Sequence, residues 1–147
     1  MIDNAIVLPI LIPLIAGAIL SIWNSPSKFR QIIAILATTV QLYISSQLLT
    51  EVLSSGTKKI IALGGWKAPI GIMLNGDILG LTMVTLCGLI LLCITLFSTQ
   101  PDQIKHENKL RLPLLQFISA GINLSFLTGD IFNLFVAFEI MLLSSYG

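Results

Sequence analysis

Residues 78–97 read ILGLTMVTLCGLILLCITLF, twenty consecutive positions without a charged side chain. A helix needs about 20 predominantly apolar residues to cross a hydrocarbon layer about 30 Å thick. This stretch therefore predicts a membrane-spanning helix. Comparable apolar stretches lie on both sides of it, and the charged residues of the chain are clustered between them.

The composition extends this prediction to the whole chain. Hydrophobic residues make up 55% of the 147 positions and charged residues only 10%, whereas about 25% of a typical soluble domain is charged. A membrane β-barrel would need strands in which apolar and polar residues alternate, and no segment alternates in that way. The net charge of +1 offers no electrostatic attraction to nucleic acid. The predicted fold class is all-α, a polytopic membrane protein of about five transmembrane helices in the lipid bilayer.

The chain is predicted to form a single membrane domain over residues 1–147. Its first apolar stretch has no basic residue before it and no suitable small-residue cleavage site after it, so we interpret it as a retained helix rather than a signal peptide. The longest connection carries the turn-forming pair Gly64-Gly65 between two short extended runs, which indicates a small hairpin at the membrane surface. The predicted spans are about 5–23, 32–49, 78–97, 112–127 and 131–147, with a surface loop at 50–77.

Lysine and arginine are distributed unequally between the two sides of this topology. The connections after spans one and three carry five of these residues, and the opposite side carries three. Because cytoplasmic loops are enriched in Lys and Arg, the N-terminus is predicted to lie outside, with the chain in the cell (inner) membrane. The two sets are Lys28, Arg30, Lys105, Lys109 and Arg111 on the cytoplasmic side, and Lys58, Lys59 and Lys67 on the other.

Several residues inside the spans predict contacts between helices. Pro9 and Pro13 suggest a bend in the first span, which a membrane accepts where a neighbouring helix binds the freed carbonyl groups. Pro13, Gly17 and Ser21 recur every four residues and form a stripe where another helix can approach closely. Hydrogen bonding to adjacent helices is the preferred interpretation of the remaining polar side chains, Gln41, Ser45, Ser46, Asn123 and Asn133.

The histidine and the cysteines give no sign of a metal or cofactor site. His106 lies in a charged loop, and no second His or Cys stands at ligand spacing. Cys87 and Cys93 are six positions apart in one predicted helix, about 240° around its axis, so they cannot form a disulfide bond within it. No cofactor and no metal are therefore predicted.

Glu139 is the one acidic residue that falls in the middle of a predicted span. It stands nine residues after Asp130, about 13 Å along the helix and near the centre of the bilayer. A charge there costs about 2.5 to 3.5 kcal/mol, so it should face protein or water and mark an ion or proton path. By spacing, four side chains share its helix face: Phe132, Phe135, Leu142 and Tyr146. The residues alone fit either a proton relay or a neutral glutamate that only hydrogen-bonds a neighbouring helix.

Asp130 predicts a helix cap rather than a second relay group. It follows Gly129 at the start of the fifth span, where a carboxylate accepts hydrogen bonds from free N–H groups and favours the positive end of the helix dipole. The turn Thr128-Gly129-Asp130 is so short that spans four and five are expected to be antiparallel neighbours.

The run FLTGDIFNLFVAFE at residues 126–139, followed by SSY at 144–146, closely resembles the D-type subunit of the multisubunit Mrp-type sodium/proton antiporters. The segment LGGWKAPIGI at residues 63–72 resembles the same family between spans two and three. The resemblance implies the N-terminal portion of a larger antiporter-like fold with inverted repeats, related to the proton-pumping membrane subunits of complex I. It also implies that Glu139 is the family's proton-relay glutamate, that protons and sodium are carried, and that other subunits of a membrane complex are partners. Position 137 is more often aromatic in this family, and here it is Ala137.

The length of the chain leaves three interpretations open. The family continues for several hundred residues and supplies its intramembrane lysines later, whereas this chain stops at Gly147. It is a component of a sodium/proton antiporter, a proton-translocating membrane subunit of an NADH:quinone oxidoreductase, or a truncated fragment that transports nothing. The run from Gly129 to Phe135 favours the antiporter, and an enzyme role would follow only from the second interpretation.

Overall fold

The computed structural model describes residues 3–23, 26–63, 71–99 and 109–146. The predicted turn at Gly64-Gly65 and the predicted surface histidine His106 lie outside the described residues, as do Lys67 and Lys105. Of Asp3 and Asn4 only the backbone is described.

Helices dominate the described part of the chain, which confirms the predicted all-α class. A 3₁₀ turn precedes the first α-helix, and two short β-strands lie between the second and third. The elements are the 3₁₀ turn Asp3–Val7, α1 Leu8–Ile22, α2 Ser27–Ser55, β1 Lys59–Ala62, β2 Met73–Gly76, α3 Ile78–Phe97, α4 Arg111–Leu127 and α5 Ile131–Ser145.

The second helix is longer than the span predicted at 32–49. It continues to Ser55, where Gly56 adopts a left-handed φ of 64° and donates its N–H to the Val52 carbonyl at 3.0 Å. Hydropathy marks only the part of a helix suited to the hydrocarbon layer, whereas backbone hydrogen bonding continues through polar residues into the interface. The connection to α3 is correspondingly shorter than the sequence predicts.

By length and composition, three segments of the described chain qualify as membrane spans. They are Ala5–Ile22, Ser27–Ser55 and Ile78–Phe97. The helix Ile131–Ser145 is apolar but has only 15 residues, and α4 has 17 residues with several polar side chains on one face. The fourth and fifth spans therefore stay predictions.

The first four helices pack as a ring in which each contacts the next and α4 returns to α1. Helix α5 packs against the outside of α4. Consequently α2 and α4 face each other across the centre of the ring. Two apolar clusters fill its ends: one includes Ile6, Leu48, Leu81 and Leu127, and the other contains Leu20, Ala34 and Leu112.

The predicted hairpin is confirmed, and it reaches the turn between α4 and α5. Strands β1 and β2 pair antiparallel, from Lys59 opposite Gly76 to Ala62 opposite Met73. Leu74 also forms a bridge with Thr128, and the Gly129 N–H donates to the Met73 carbonyl at 2.7 Å. The hairpin thereby fixes the point from which α5 begins.

Candidate functional site

Helix α5 carries the candidate site, and its first turn is set by a cap and a short side-chain network. The Asn133 N–H donates to Asp130 Oδ1 at 2.7 Å, which confirms the predicted cap. The Asn133 side chain donates to Thr128 Oγ1 at 3.1 Å, within the turn rather than to another helix as predicted. An amide this close to a helix start finds an acceptor in its own turn. These bonds fix the direction in which α5 leaves α4.

Small side chains allow α5 to lie close against α4. Asn133, Ala137 and Ser144 are the buried residues of α5, and Ala137 lies against Gly121 of α4. A Cβ atom on Gly121 would lie 2.7 Å from Met141 Cγ and 3.0 Å from the Ala137 carbonyl oxygen, both too short for ordinary contacts. Close approach of this kind is what small residues permit between membrane helices. The face of α5 opposite these contacts is left without a neighbour in the described chain.

Glu139 lies on that open side of α5. Its side chain is exposed, and within the described residues no ion pair or hydrogen bond to its carboxylate is found. The side chains predicted to share its face are exposed with it, among them Phe135 at 59% and Tyr146 at 82%. The carboxylate therefore stands among large apolar side chains on a surface that this part of the chain does not cover.

The interior of the ring holds a second set of polar side chains, on α2 and α4. Ser119 donates to Gln41 Oε1 at 3.2 Å across the centre, and Gln116 donates to the Ala34 carbonyl at 3.4 Å. The predicted interhelical role of Gln41 is thus confirmed. Gln116 and Ser119 were not predicted, although their spacing from Asn123 places all three on one face of a helix.

The prediction of interhelical bonds is wrong for Ser45 and Ser46. Ser45 donates to the Leu42 carbonyl at 3.0 Å, and Ser46 donates to the Tyr43 carbonyl at 2.7 Å. A serine hydroxyl reaches the carbonyl group three residues earlier in its own helix more easily than a neighbouring helix.

Pro13 creates an acceptor in α1 that α4 satisfies. Because proline has no N–H, the carbonyl group four residues earlier loses its helical donor. That carbonyl belongs to Pro9, and the Asn123 side-chain amide donates to it at 2.7 Å. The predicted stripe is also in contact here, since a Cβ atom on Gly17 would lie 2.9 Å from the Phe117 ring. The predicted close approach of a neighbouring helix is confirmed, and that helix is α4.

We expect the effects of substituting Asn123 and Pro13 to be coupled. Pro13→Ala returns an N–H donor to the Pro9 carbonyl, so Asn123→Leu should cost about 1 to 2 kcal/mol less in that background than in the native chain. The free energies of unfolding of the two single variants and the double variant in mixed micelles give this coupling.

A matched control for the coupling is available on the same helix. Ser125 donates only to the Ile122 carbonyl of α4 itself, at 2.7 Å, so Ser125→Ala should show no coupling to Pro13→Ala. Equal costs of Asn123→Leu in both backgrounds would show that the Pro9 carbonyl does not depend on Asn123.

Comparison with known proteins agrees with this helix arrangement. No family model matches the sequence. Over 144 residues, however, the chain is 37% identical to the D-type subunit of the Na(+)/H(+) antiporter of Alkalihalophilus pseudofirmus and 35% identical to the counterpart of the same name from Bacillus subtilis. Each match covers 98% of this chain. The chain is homologous to the D-type antiporter subunits.

The similarity to the D-type subunits concerns only part of those proteins. The chain spans 29% of the length of each of the two relatives. A solved structure of the Mrp complex from a Dietzia species contains a chain that matches all of this one with a TM-score of 0.86 and 26% identity, over 27% of its own length. The predicted membrane fold and the predicted resemblance to the D-type Mrp subunit are both confirmed.

A respiratory complex provides a second structural relative of this D-type homologue. The membrane-bound sulfane sulfur reductase, described as an archaeal respiratory membrane complex, contains a chain that matches 97% of this one. The TM-score is 0.76 and the identity 28%, over 28% of that chain. The same helix arrangement therefore occurs in an Mrp complex and in a respiratory membrane complex.

Proposed function

We propose that this chain is a component of a monovalent cation (sodium)/proton antiporter, in which Glu139 takes up and releases a proton. The exposed position of Glu139 on α5 supports this proposal most directly. The Glu139 carboxylate lies on an uncovered, aromatic side of its helix. In a homologue of the D-type subunits, this side presents a proton-binding group to a helix that packs against it. The cell (inner) membrane, with the N-terminus outside, is the location that we propose.

The energetic argument concerns the cost of leaving Glu139 uncovered. An ionised side chain near the bilayer centre costs about 2.5 to 3.5 kcal/mol when it faces lipid. A cation or a polar group on a neighbouring helix would reduce that cost by stabilising the ionised form, while loss of water favours the protonated form. Opposing influences of this kind allow a carboxyl group to bind and release a proton. We propose that other helices of a multisubunit complex supply the opposing group, and that protons and sodium are the transported ions.

A respiratory role is the second candidate function. The structural likeness to a chain of a respiratory membrane complex favours it, and it corresponds to a proton-translocating membrane subunit of an NADH:quinone oxidoreductase. Glu139 would have the same proton-binding role there, but the movement of protons would be coupled to electron transfer instead of to sodium transport. In a third interpretation the chain inserts into the membrane and transports nothing.

A chimera tests the antiporter proposal. This chain replaces the matching 144 residues of the Bacillus subtilis relative, and sodium/proton exchange is measured as the sodium-dependent collapse of a proton gradient in inverted vesicles. We expect exchange to be retained, because matched helices should present Glu139 to the remaining helices as in the relative. A chimera that assembles with the other subunits but shows no exchange would contradict the antiporter role and favour one of the other interpretations.

A further inference from the structure

The two ends of the helix ring differ in charge. One end, which we term the basic end, is formed by the last turn of α1, the first turn of α2, the last turn of α3 and the first turn of α4. Among the side chains that the structure describes, no carboxylate lies at the basic end. The described carboxylates are those of Glu51, Asp77, Asp130 and Glu139. The described cations at the basic end are Lys28, Arg30, Lys109 and Arg111.

Arg30 is unusual among these cations because it is buried. Only 5% of its surface is exposed. One terminal guanidinium nitrogen donates to the Lys109 carbonyl, whereas Nε has no hydrogen-bond partner. Arg30 forms no ion pair with any described residue. The ion pair found in the described chain joins Lys59 and Glu51, at the opposite end of the ring. A buried cation is costly unless an anion pairs with it, so the site favours a bound anion.

A cavity of about 290 Å³ lies beside Arg30. Its lining combines positive charge with apolar surface: Leu20, Ser21, Trp23, Arg30, Lys109 and Leu110. Trp23 follows the end of α1 and packs edge to face against Phe29, with 5.8 Å between the ring centroids. Tryptophan is enriched at the depth of lipid headgroups. The cavity therefore lies where a headgroup phosphate would be found.

We propose that this cavity binds the phosphate group of an anionic phospholipid. A guanidinium group matches two phosphate oxygens, and Lys109 adds a second positive charge at the mouth of the cavity. Inorganic phosphate has the same acceptor chemistry, but Leu20, Trp23 and Leu110 provide apolar contacts that only a lipid can use. Anionic lipids are attracted to basic segments on the cytoplasmic face, the side predicted for this end.

Lipid binding to the purified 147-residue chain tests the proposal. Phosphatidylglycerol is titrated into the protein in a neutral detergent, and bound lipid is counted by native mass spectrometry, with phosphatidylcholine and inorganic phosphate as separate ligands. We expect Arg30→Gln to weaken phosphatidylglycerol binding about tenfold and Lys109→Gln to weaken it less, as expected for charge-assisted hydrogen bonds. Lys58→Gln is the matched control, because Lys58 is an exposed cation at the opposite end and its loss should leave binding unchanged.

Each of the other outcomes overturns the proposal. Equal binding of phosphatidylglycerol and phosphatidylcholine, or an equal loss in Lys58→Gln, would indicate general attraction of lipid to the protein. Arg30-dependent binding of inorganic phosphate without lipid binding would indicate a free anion instead. If circular dichroism shows that Arg30→Gln has lost helix, Lys109→Gln decides, since Lys109 is exposed and an unchanged affinity in that variant refutes the site.

Discussion

Glu139→Gln is expected to reduce sodium/proton exchange to background in the chimera that carries this chain. Glutamine keeps the shape and the hydrogen-bonding capacity of the side chain but can neither hold a negative charge nor release a proton. The exposed position of Glu139 on α5 means that the substitution disturbs no packing in the described chain. Exchange in inverted vesicles and the amount of assembled complex are measured on the same membranes, so that loss of transport is separated from loss of protein.

Two further variants make the Glu139 result specific. Glu139→Asp keeps the carboxyl group but withdraws it by one methylene, and it should retain measurable exchange. Glu51→Gln removes another helical carboxylate, one that pairs with Lys59 at 2.8 Å, and it should leave exchange unchanged because that ion pair lies at the end of α2. Normal exchange in Glu139→Gln would refute the proton-binding role.

Gly121→Leu is expected to have the second largest effect, by separating α5 from α4. Even a Cβ atom at this position would lie 3.0 Å from the Ala137 backbone oxygen, so the backbone of one helix must move. Overpacking of this kind costs about 1 to 3 kcal/mol. The free energy of unfolding in mixed micelles should fall by that amount, and in the chimera the displacement of Glu139 should also lower exchange.

The controls for Gly121→Leu distinguish close packing from added size. Ala18→Leu adds a similar volume on an exposed face of α1 and should change the stability little. Met141→Ala removes the flexible side chain nearest Gly121 but not the Ala137 oxygen, so combining it with Gly121→Leu should restore only part of the loss. A Gly121→Leu protein as stable as the native chain would mean that α5 is not held closely against α4.

Local features of the fold could be predicted from the sequence because their causes lie within a few residues. Asp130 precedes an apolar run and caps it, and the two extended runs within the long connection form a hairpin. Helix ends were less predictable. A prediction from hydropathy ends where the polar residues after span two begin, whereas the helix continues through them to Ser55.

The sequence could predict that a group needs a hydrogen-bond partner on another helix, but not which residue that partner is. A proline-freed carbonyl requires a donor, but only the packing of α1 on α4 shows that Asn123 is that donor. Arg30 was predicted only as a cation on the cytoplasmic side, and the Lys109 carbonyl to which it donates is 79 positions away. For Glu139 the sequence predicted the helix face, and no described residue covers the carboxylate on that face.

The short turn between α4 and α5 has a consequence for how the chain is made. Gln116, Ser119 and Asn123 give α4 a polar stripe, and α4 is not among the helices that qualify as spans by their own length and hydropathy. These three side chains donate to acceptors on α1 and α2. We expect α4 and α5 to leave the translocation machinery as one helical pair, after the earlier helices are available to receive them. The order of synthesis would then itself be part of the folding pathway.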